Sequence, residues 1–330
     1  CEVNGFNRFE ITGLDAENFI DRMFCGNITH KPGRVGLGYL LNDFGMVKSE
    51  ATIANIPASD RGSTRIWYGS AAASEFHDMD WLTQHINADE DVHIKSLTND
   101  QTILIIAGPK ARKVMSACSR DDWSKEVFPW LSVRECFIGF TAATVMSVSF
   151  SGELAYEVHV PNSSLYAAYL TLSEAGKEFG MKLFGSRAVE SMRMEKGFLS
   201  WKTDLLTEFD PFETGLDRFV NLKKNNFIGK TSLQKRFKDG PKQKLVCLSI
   251  NCTHASAHSG ASLMEDDKVI GTITSGEWGH RVGLNLAYAF VNPEKSKPGT
   301  KMTLNLLGEM ISVKVIPFGA YDRSYSRLLA

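Results

Sequence analysis

Ser149-Phe-Ser-Gly-Glu-Leu-Ala-Tyr-Glu-Val-His159 reads as part of a strand passage, Ala142 to Val160, broken at Gly152, with Glu153 and Glu157 flanking an aromatic and apolar stretch. It feeds a helical segment, Ser163 to Phe179, and the passage before it repeats the order: Val92 to Ala107 enters a helix over Pro109 to Ser119. Both look like βαβ units, so the middle of the chain is mixed helix and strand with short connections. Upstream, Phe6 to Thr12 alternates as a strand, and Asp15 stands where it would cap a helix running to Phe24. A strand ending near Leu41, the turn Asn42-Asp-Phe-Gly45 and a returning strand Val47 to Ile56 form a hairpin with Glu50 inside its second arm, and a helical stretch covers Ala71 to His85.

Downstream, Arg187-Ala-Val-Glu-Ser-Met-Arg-Met-Glu-Lys-Gly197 has helical spacing, with Glu190, Arg193 and Gly197 on one stripe. The basic run Lys230 to Lys244, containing Gly240-Pro241, reads as a linker. Beyond it, short strands separated by Gly, Asn and Pro continue to Ala330 with no helix-length periodic segment, which predicts a small all-β domain. The expected division is 1–243 and 244–330.

The 330 residues are 43% hydrophobic and 23% charged, which excludes disorder and collagen-like repetition. Lys plus Arg number 37 against 38 Asp plus Glu, so no global field draws the chain to nucleic acid or anionic membrane. The longest apolar run, Thr102 to Gly108, is far below the ~20 residues of a bilayer span. The six cysteines, Cys1, Cys25, Cys118, Cys136, Cys247 and Cys252, form no Cys-x-x-Cys pair and read as free, buried thiols in a reducing compartment, the cytosol or a mitochondrial matrix. Starting at Cys1 without a secretory leader suggests a trimmed chain or a domain of something longer. The fingerprints for dinucleotides, nucleoside triphosphates, zinc and hydrolase elbows are all missing, and no metal site is expected.

Three segments carry more polar information than a core requires: Ser149–His159, Arg187–Gly197, and Gly45-Met-Val-Lys-Ser-Glu50. Each has a plain structural reading, an exposed helix ion pair for Glu190 and Arg193 or a solvated strand face for Glu50. Two carboxylates and an arginine on separate elements, with Phe150, Tyr156 and Trp201 close in sequence, are nevertheless the inventory of a pocket for a flat polar heterocycle.

Together with Phe9 to Phe19, Met192-Arg-Met-Glu-Lys-Gly-Phe-Leu-Ser-Trp-Lys-Thr-Asp204, Glu213 to Val220, Asn226 to Lys230 and Thr274-Ser-Gly276, these segments resemble the aminomethyltransferase (glycine-cleavage T-protein) superfamily. Within it, the nearest resemblance is to the folate-binding C-terminal half of dimethylglycine and sarcosine dehydrogenases, and it runs from about Phe6 to Asp322. The resemblance implies an α+β fold of three subdomains in a cloverleaf around a folate pocket, two interleaved in 1–243 and the last a β-barrel or jelly roll. It implies tetrahydrofolate as cofactor, with flavin confined to a domain absent from this chain. The implied partners are folate, a small N-methyl amine or its imine or formaldehyde product, and a flavin oxidase domain or subunit.

By the same resemblance, Glu157 matches the glutamate that grips the pterin, where a carboxylate accepts from two parallel N–H donors. Glu50 falls where the T-protein carries a catalytic aspartate, one methylene shorter. Arg193 matches a family arginine near the pocket, Phe150 stands where relatives often have tyrosine, and Glu153, Tyr39, Trp201 and Trp278 are further wall candidates. The implied function is capture of a one-carbon unit from an N-methyl amine as 5,10-methylenetetrahydrofolate. A stand-alone folate-dependent methyltransferase or demethylase giving 5-methyltetrahydrofolate, and a folate-binding protein without chemistry, are the alternatives.

Overall fold

The computed structural model describes residues 2–3, 5–57 and 65–330; Cys1 lies outside the described residues. In chain order the elements are β1 (Glu2–Val3), β2 (Phe9–Thr12), α1 (Ala16–Met23), β3 (Arg34–Leu41), β4 (Val47–Ile56), β5 (Arg65–Gly69), α2 (Glu75–Gln84) and β6 (His93–Ser96). They continue with β7 (Gln101–Ala107), α3 (Ala111–Cys118), β8 (Val133–Ile138), β9 (Thr141–Met146), β10 (Ala155–Pro161), α4 (Leu165–Lys177), α5 (Ser186–Lys196) and α6 (Lys230–Asp239). The last part is all strand: β11 (Lys244–Ile250), β12 (Ser262–Glu265), β13 (Lys268–Gly279), β14 (Leu284–Val291), β15 (Lys301–Leu306) and β16 (Glu309–Ile316).

These form a mixed helix-and-sheet fold with a closed barrel. One five-stranded sheet has the order β3-β4-β5-β2-β6, the other β1-β7-β10-β9-β8, and six strands close the barrel in the order β11-β14-β13-β12-β15-β16. Each sheet turns one face to its helices. Phe9, Ile11, Ile53 and Tyr68 of the first sheet pack with Phe19, Ile20 and Met23 of α1, and Tyr156, Val158 and Val160 of the second pack with Met115 of α3 and Leu172 of α4. The opposite faces meet each other through Ala54, Trp67, Val133 and Met146. That contact sets β4, which carries Glu50, against β8 and β9, and β9 pairs with β10, which carries Glu157.

The β3–β4 hairpin has the bounds its sequence predicts. Asn42 Oδ1 accepts from the backbone N–H groups of Phe44 and Met46, both at 3.0 Å, and Gly45 takes φ +75°. A Cβ at Gly45 would lie 2.8 Å from the Leu233 nitrogen, so the turn is also shaped by α6 packed behind it. At the end of α5, Gly197 (φ +85°) closes the helix, and a Cβ there would lie 2.7 Å from the backbone nitrogen of Gly319.

Several expectations are corrected. The strand pairings of both sheets are antiparallel, so the passages read as βαβ units are strands joined through hairpins and helices. Strand–helix alternation does not encode pairing direction, and β8 and β9 supply the intervening hairpin. Asp15 does not cap α1; its Oδ2 accepts the Asp91 N–H at 2.9 Å, tying the helix start to the loop before β6. The run read as a linker contains the ten-residue helix α6, whose buried Leu233 outweighs its basic surface in deciding structure. Among the described residues, Cys25, Cys118, Cys136, Cys247 and Cys252 are free and buried, and burial pushes the thiols of Cys25, Cys136 and Cys247 up to about 12 and that of Cys118 to about 11. No helix among these residues is long and apolar enough to cross a membrane.

Candidate functional site

Register places the first pair. Tyr39 and Glu50 are directly opposed on β3 and β4, and the Tyr39 hydroxyl donates to Glu50 Oε2 at 2.9 Å. Tyr39 is buried and tilts against Phe219 with ring centroids 5.1 Å apart, so its hydroxyl is held in place. Glu50 is half-buried, and burial lifts its carboxyl to about 7; the Tyr39 hydrogen bond pulls it down, and the Asp204 charge pushes it up. A carboxyl poised there exchanges protons readily at neutral pH.

Asp204 belongs to a buried polar knot. Arg193 Nη1 donates to Asp204 Oδ2 at 2.7 Å and to the Phe198 carbonyl at 3.0 Å; Nη2 donates to Ser275 Oγ at 2.9 Å and to Glu190 Oε1. Thr274 and Ser275 hydroxyls donate to Asp204 Oδ1 at 2.6 and 2.7 Å, and the Ser200 N–H donates to Oδ2 at 3.0 Å. Body and barrel are thereby joined, since Thr274 and Ser275 lie on β13. Arg193 and Asp204 are fully buried. The Arg193 guanidinium faces protein acceptors and holds Asp204 and Glu190.

Phe150 stacks on Phe198 at 6.2 Å with the rings 9° from parallel, and Trp201 Nε1 donates to Ser74 Oγ at 2.5 Å, so both flank the Phe198–Asp204 loop. Trp278, on β13, uses its carbonyl to accept from Ser191 at 2.6 Å. Tyr39, Glu50, Arg193, Phe150 and Trp201 therefore share one connected region.

Glu157 enters from β10. Its carboxylate is 14% exposed and 3.5 Å from Nε2 of the fully buried His159, whose ring meets Trp67 edge-on at 5.0 Å. No hydrogen bond from a described residue occupies it, so its lone pairs are open to an incoming donor pair.

Glu153 meets protein donors from the C-terminal part of the chain. Arg281, in the β13–β14 turn, donates to Glu153 Oε1 at 3.0 Å, to Glu195, and to the carbonyls of Ser151 and Met192, both at 2.9 Å; the Tyr321 hydroxyl donates to Glu153 as well. Glu153 thus clamps the barrel to the body. Asp204, Arg281 and His159 are what the residue reading missed. Asp204 and Ser275 lay inside quoted motifs, and nothing in their spacing marked them.

Two cavities lie apart from this network. One of about 340 Å³ is bounded by β7, α3, α4 and residues 179–184, and one of about 480 Å³ sits at the start of α6 beside Asp43. Neither joins a carboxylate to an arginine.

The model of the GCVT N-terminal domain family matches residues 1–224, and that of the glycine cleavage T-protein C-terminal barrel domain matches residues 243–322. The chain belongs to the glycine-cleavage T-protein family. It is similar to human mitochondrial dimethylglycine dehydrogenase (31% identical over 317 residues, 96% of this chain and 36% of that protein), so it spans about a third of that relative's length. Aminomethyltransferase of Thermoanaerobacter pseudethanolicus is 24% identical, with 99% of this chain and 87% of that protein covered. The crystal structure of aminomethyltransferase T from Bartonella henselae shares the fold, with a TM-score of 0.87 at 19% identity over 98% of this chain and 86% of that one.

Proposed function

We propose that this family member binds tetrahydrofolate and captures a one-carbon unit from an N-methyl amine of the dimethylglycine or sarcosine type as 5,10-methylenetetrahydrofolate. The observation that carries it is Glu50, a carboxyl lifted to about 7 and fixed by Tyr39, at the position of the family's catalytic carboxylate. The residues fit the cofactor: Glu157 offers an uncommitted carboxylate for the paired N–H donors of a pterin, and Phe150 offers an aromatic face.

Bound folate would supply two nucleophilic ring-side nitrogens. Glu50, ionised, takes the proton that leaves an attacking nitrogen and returns it to the departing amine, and a group titrating near 7 serves both directions. Its negative charge also stabilises a cationic iminium. Asp204, held by Arg193, keeps the Glu50 carboxyl from being too weak a base. The division 1–243 and 244–330 belongs to this proposal, with the Arg281–Glu153 and Arg193–Ser275 contacts tying the two parts. A flavin oxidase acting as the donor's source, in the same or another chain, belongs to it too, as does a cytosolic or mitochondrial location.

Isothermal titration with tetrahydrofolate, for the intact chain and Glu157→Ala, tests the pocket; equal binding by both overturns it. Turnover with formaldehyde or an N-methyl amine plus an oxidase separates products. The 87% coverage of a self-standing aminomethyltransferase favours one second reading, a transferase active without an oxidase partner, and turnover by the chain alone from a preformed aminomethyl donor would establish it.

A further inference from the structure

His159 is a buried titratable group that the proposed chemistry leaves unused. It has zero exposed side-chain area, yet neither ring nitrogen has a hydrogen-bond partner. A neutral imidazole always carries one N–H, and a buried donor left unmet costs about 1–3 kcal/mol. The fold tolerates this beside the one carboxylate that the proposed cofactor needs.

Among the described residues, the carboxylate beside its ring is that of Glu157. On its flanks His159 faces Ile103 of β7 and Thr144 of β9; the next strand in that row presents Glu135, already taken by Arg65 at 2.8 Å. From the facing sheet, Trp67 presents its ring edge, and its own Nε1 is likewise buried without a partner. Glu157 Oε2 lies 3.5 Å from Nε2, just beyond hydrogen-bond length. A shift of a few tenths of an ångström closes the bond, and contacts in empty sites often tighten only on ligand binding.

We propose that His159 is a positioning residue for Glu157, donating Nε2–H to Oε2 in the ligand-bound protein so that the remaining lone pairs face a ligand with two parallel N–H donors. The inference rests on Glu157 being the pterin grip. It gives the carboxylate the orienting partner that bidentate recognition requires, and gives the buried imidazole its missing acceptor. Trp67 then sets the ring plane from the other side.

Isothermal titration with tetrahydrofolate on wild type, Glu157→Ala, His159→Phe and His159→Gln tests it. His159→Phe is expected to bind about tenfold more weakly while melting no lower than wild type, and His159→Gln, whose amide replaces the Nε2–H, to recover to within about threefold. Equal weakness of Phe and Gln, or wild-type binding by Phe while Glu157→Ala is weak, overturns the positioning role and leaves the folate reading standing. Equal binding by Glu157→Ala and wild type overturns the folate grip itself. A readout on the native chain is independent of variant folding: tetrahydrofolate should bring out a slowly exchanging histidine ring N–H proton by NMR that His159→Gln lacks, and its absence in wild type overturns the inference.

Discussion

Tyr39 and Glu50 face each other across the β3–β4 ladder, and the 2.9 Å hydrogen bond between them is the one contact that lowers a carboxyl which burial and Asp204 both raise. Tyr39→Phe therefore moves the Glu50 pKa further above 7, by up to about one unit. The acid limb of a pH–rate profile, where activity rises as Glu50 ionises, should shift to higher pH. An unchanged limb would separate Glu50 from the reaction.

Glu50 also leaves a signature in stability. Its folded pKa of about 7 exceeds the ordinary glutamate value of 4.5, so between these values the native state holds the proton more tightly than the unfolded chain does. The associated stability is complete below about 4.5 and is lost as pH rises through about 7. Glu50→Gln should flatten that part of a stability-versus-pH curve by about 1–3 kcal/mol, reduced from the full shift because Glu50 is only half-buried. Chemical denaturation from pH 4.5 to 8 measures it.

Arg193→Met leaves Asp204 buried with three neutral donors but no cation. Removing one partner of a buried pair costs about 3–5 kcal/mol, whereas an exposed helix pair would cost only tenths. Urea unfolding distinguishes the two, and a loss under about 1 kcal/mol would refute the buried knot.

Arg281→Ala leaves the fully buried Glu195 with backbone N–H donors but no cation, and leaves Glu153 held to the C-terminal part by Tyr321 alone. The barrel should then detach earlier than the body unfolds, seen as faster limited proteolysis near residues 240–244 and a biphasic melt. A single cooperative transition at the wild-type temperature would count against the clamp.

Acid stability depends on Asp322. Burial opposes its ionisation, but hydrogen bonds from Ser326, Lys196 and the Arg327 N–H outweigh that and hold it at about 2. A depressed carboxyl contributes stability that is present above its unfolded value near 4 and lost as pH falls through about 2. Lys196→Met should raise the acid-unfolding midpoint, and an unmoved midpoint would contradict the pairing.

Local chemistry was legible where neighbours in sequence decide the conformation. Asn42 to Gly45 closes its own turn with its own side chain, and the β3–β4 hairpin and α5 follow from short-range pattern. The motifs that carry the family resemblance likewise held Glu50 and Glu157. Strand direction, the helical state of residues 230–239 and the role of Glu153 were not legible, because each depends on a partner far along the chain: β10 pairing antiparallel to β7, Leu233 packing behind Gly45, and Arg281 reaching Glu153 from the barrel.

The sequence by itself determined which segments bend, which bury an apolar face and which carboxylates sit in a family-like pattern, since those are properties of spacing and turn chemistry. Only the tertiary structure decided what each polar side chain does. It drew Arg193 inward onto Asp204, gave Glu153 to the barrel, lifted Glu50 to about 7 and left Glu157 beside an unpartnered imidazole. The physical reason is that desolvation and charge proximity set a carboxylate's behaviour, and both depend on which groups the fold brings together, Asp204 near Glu50 and Arg281 on Glu153 coming from more than a hundred residues away.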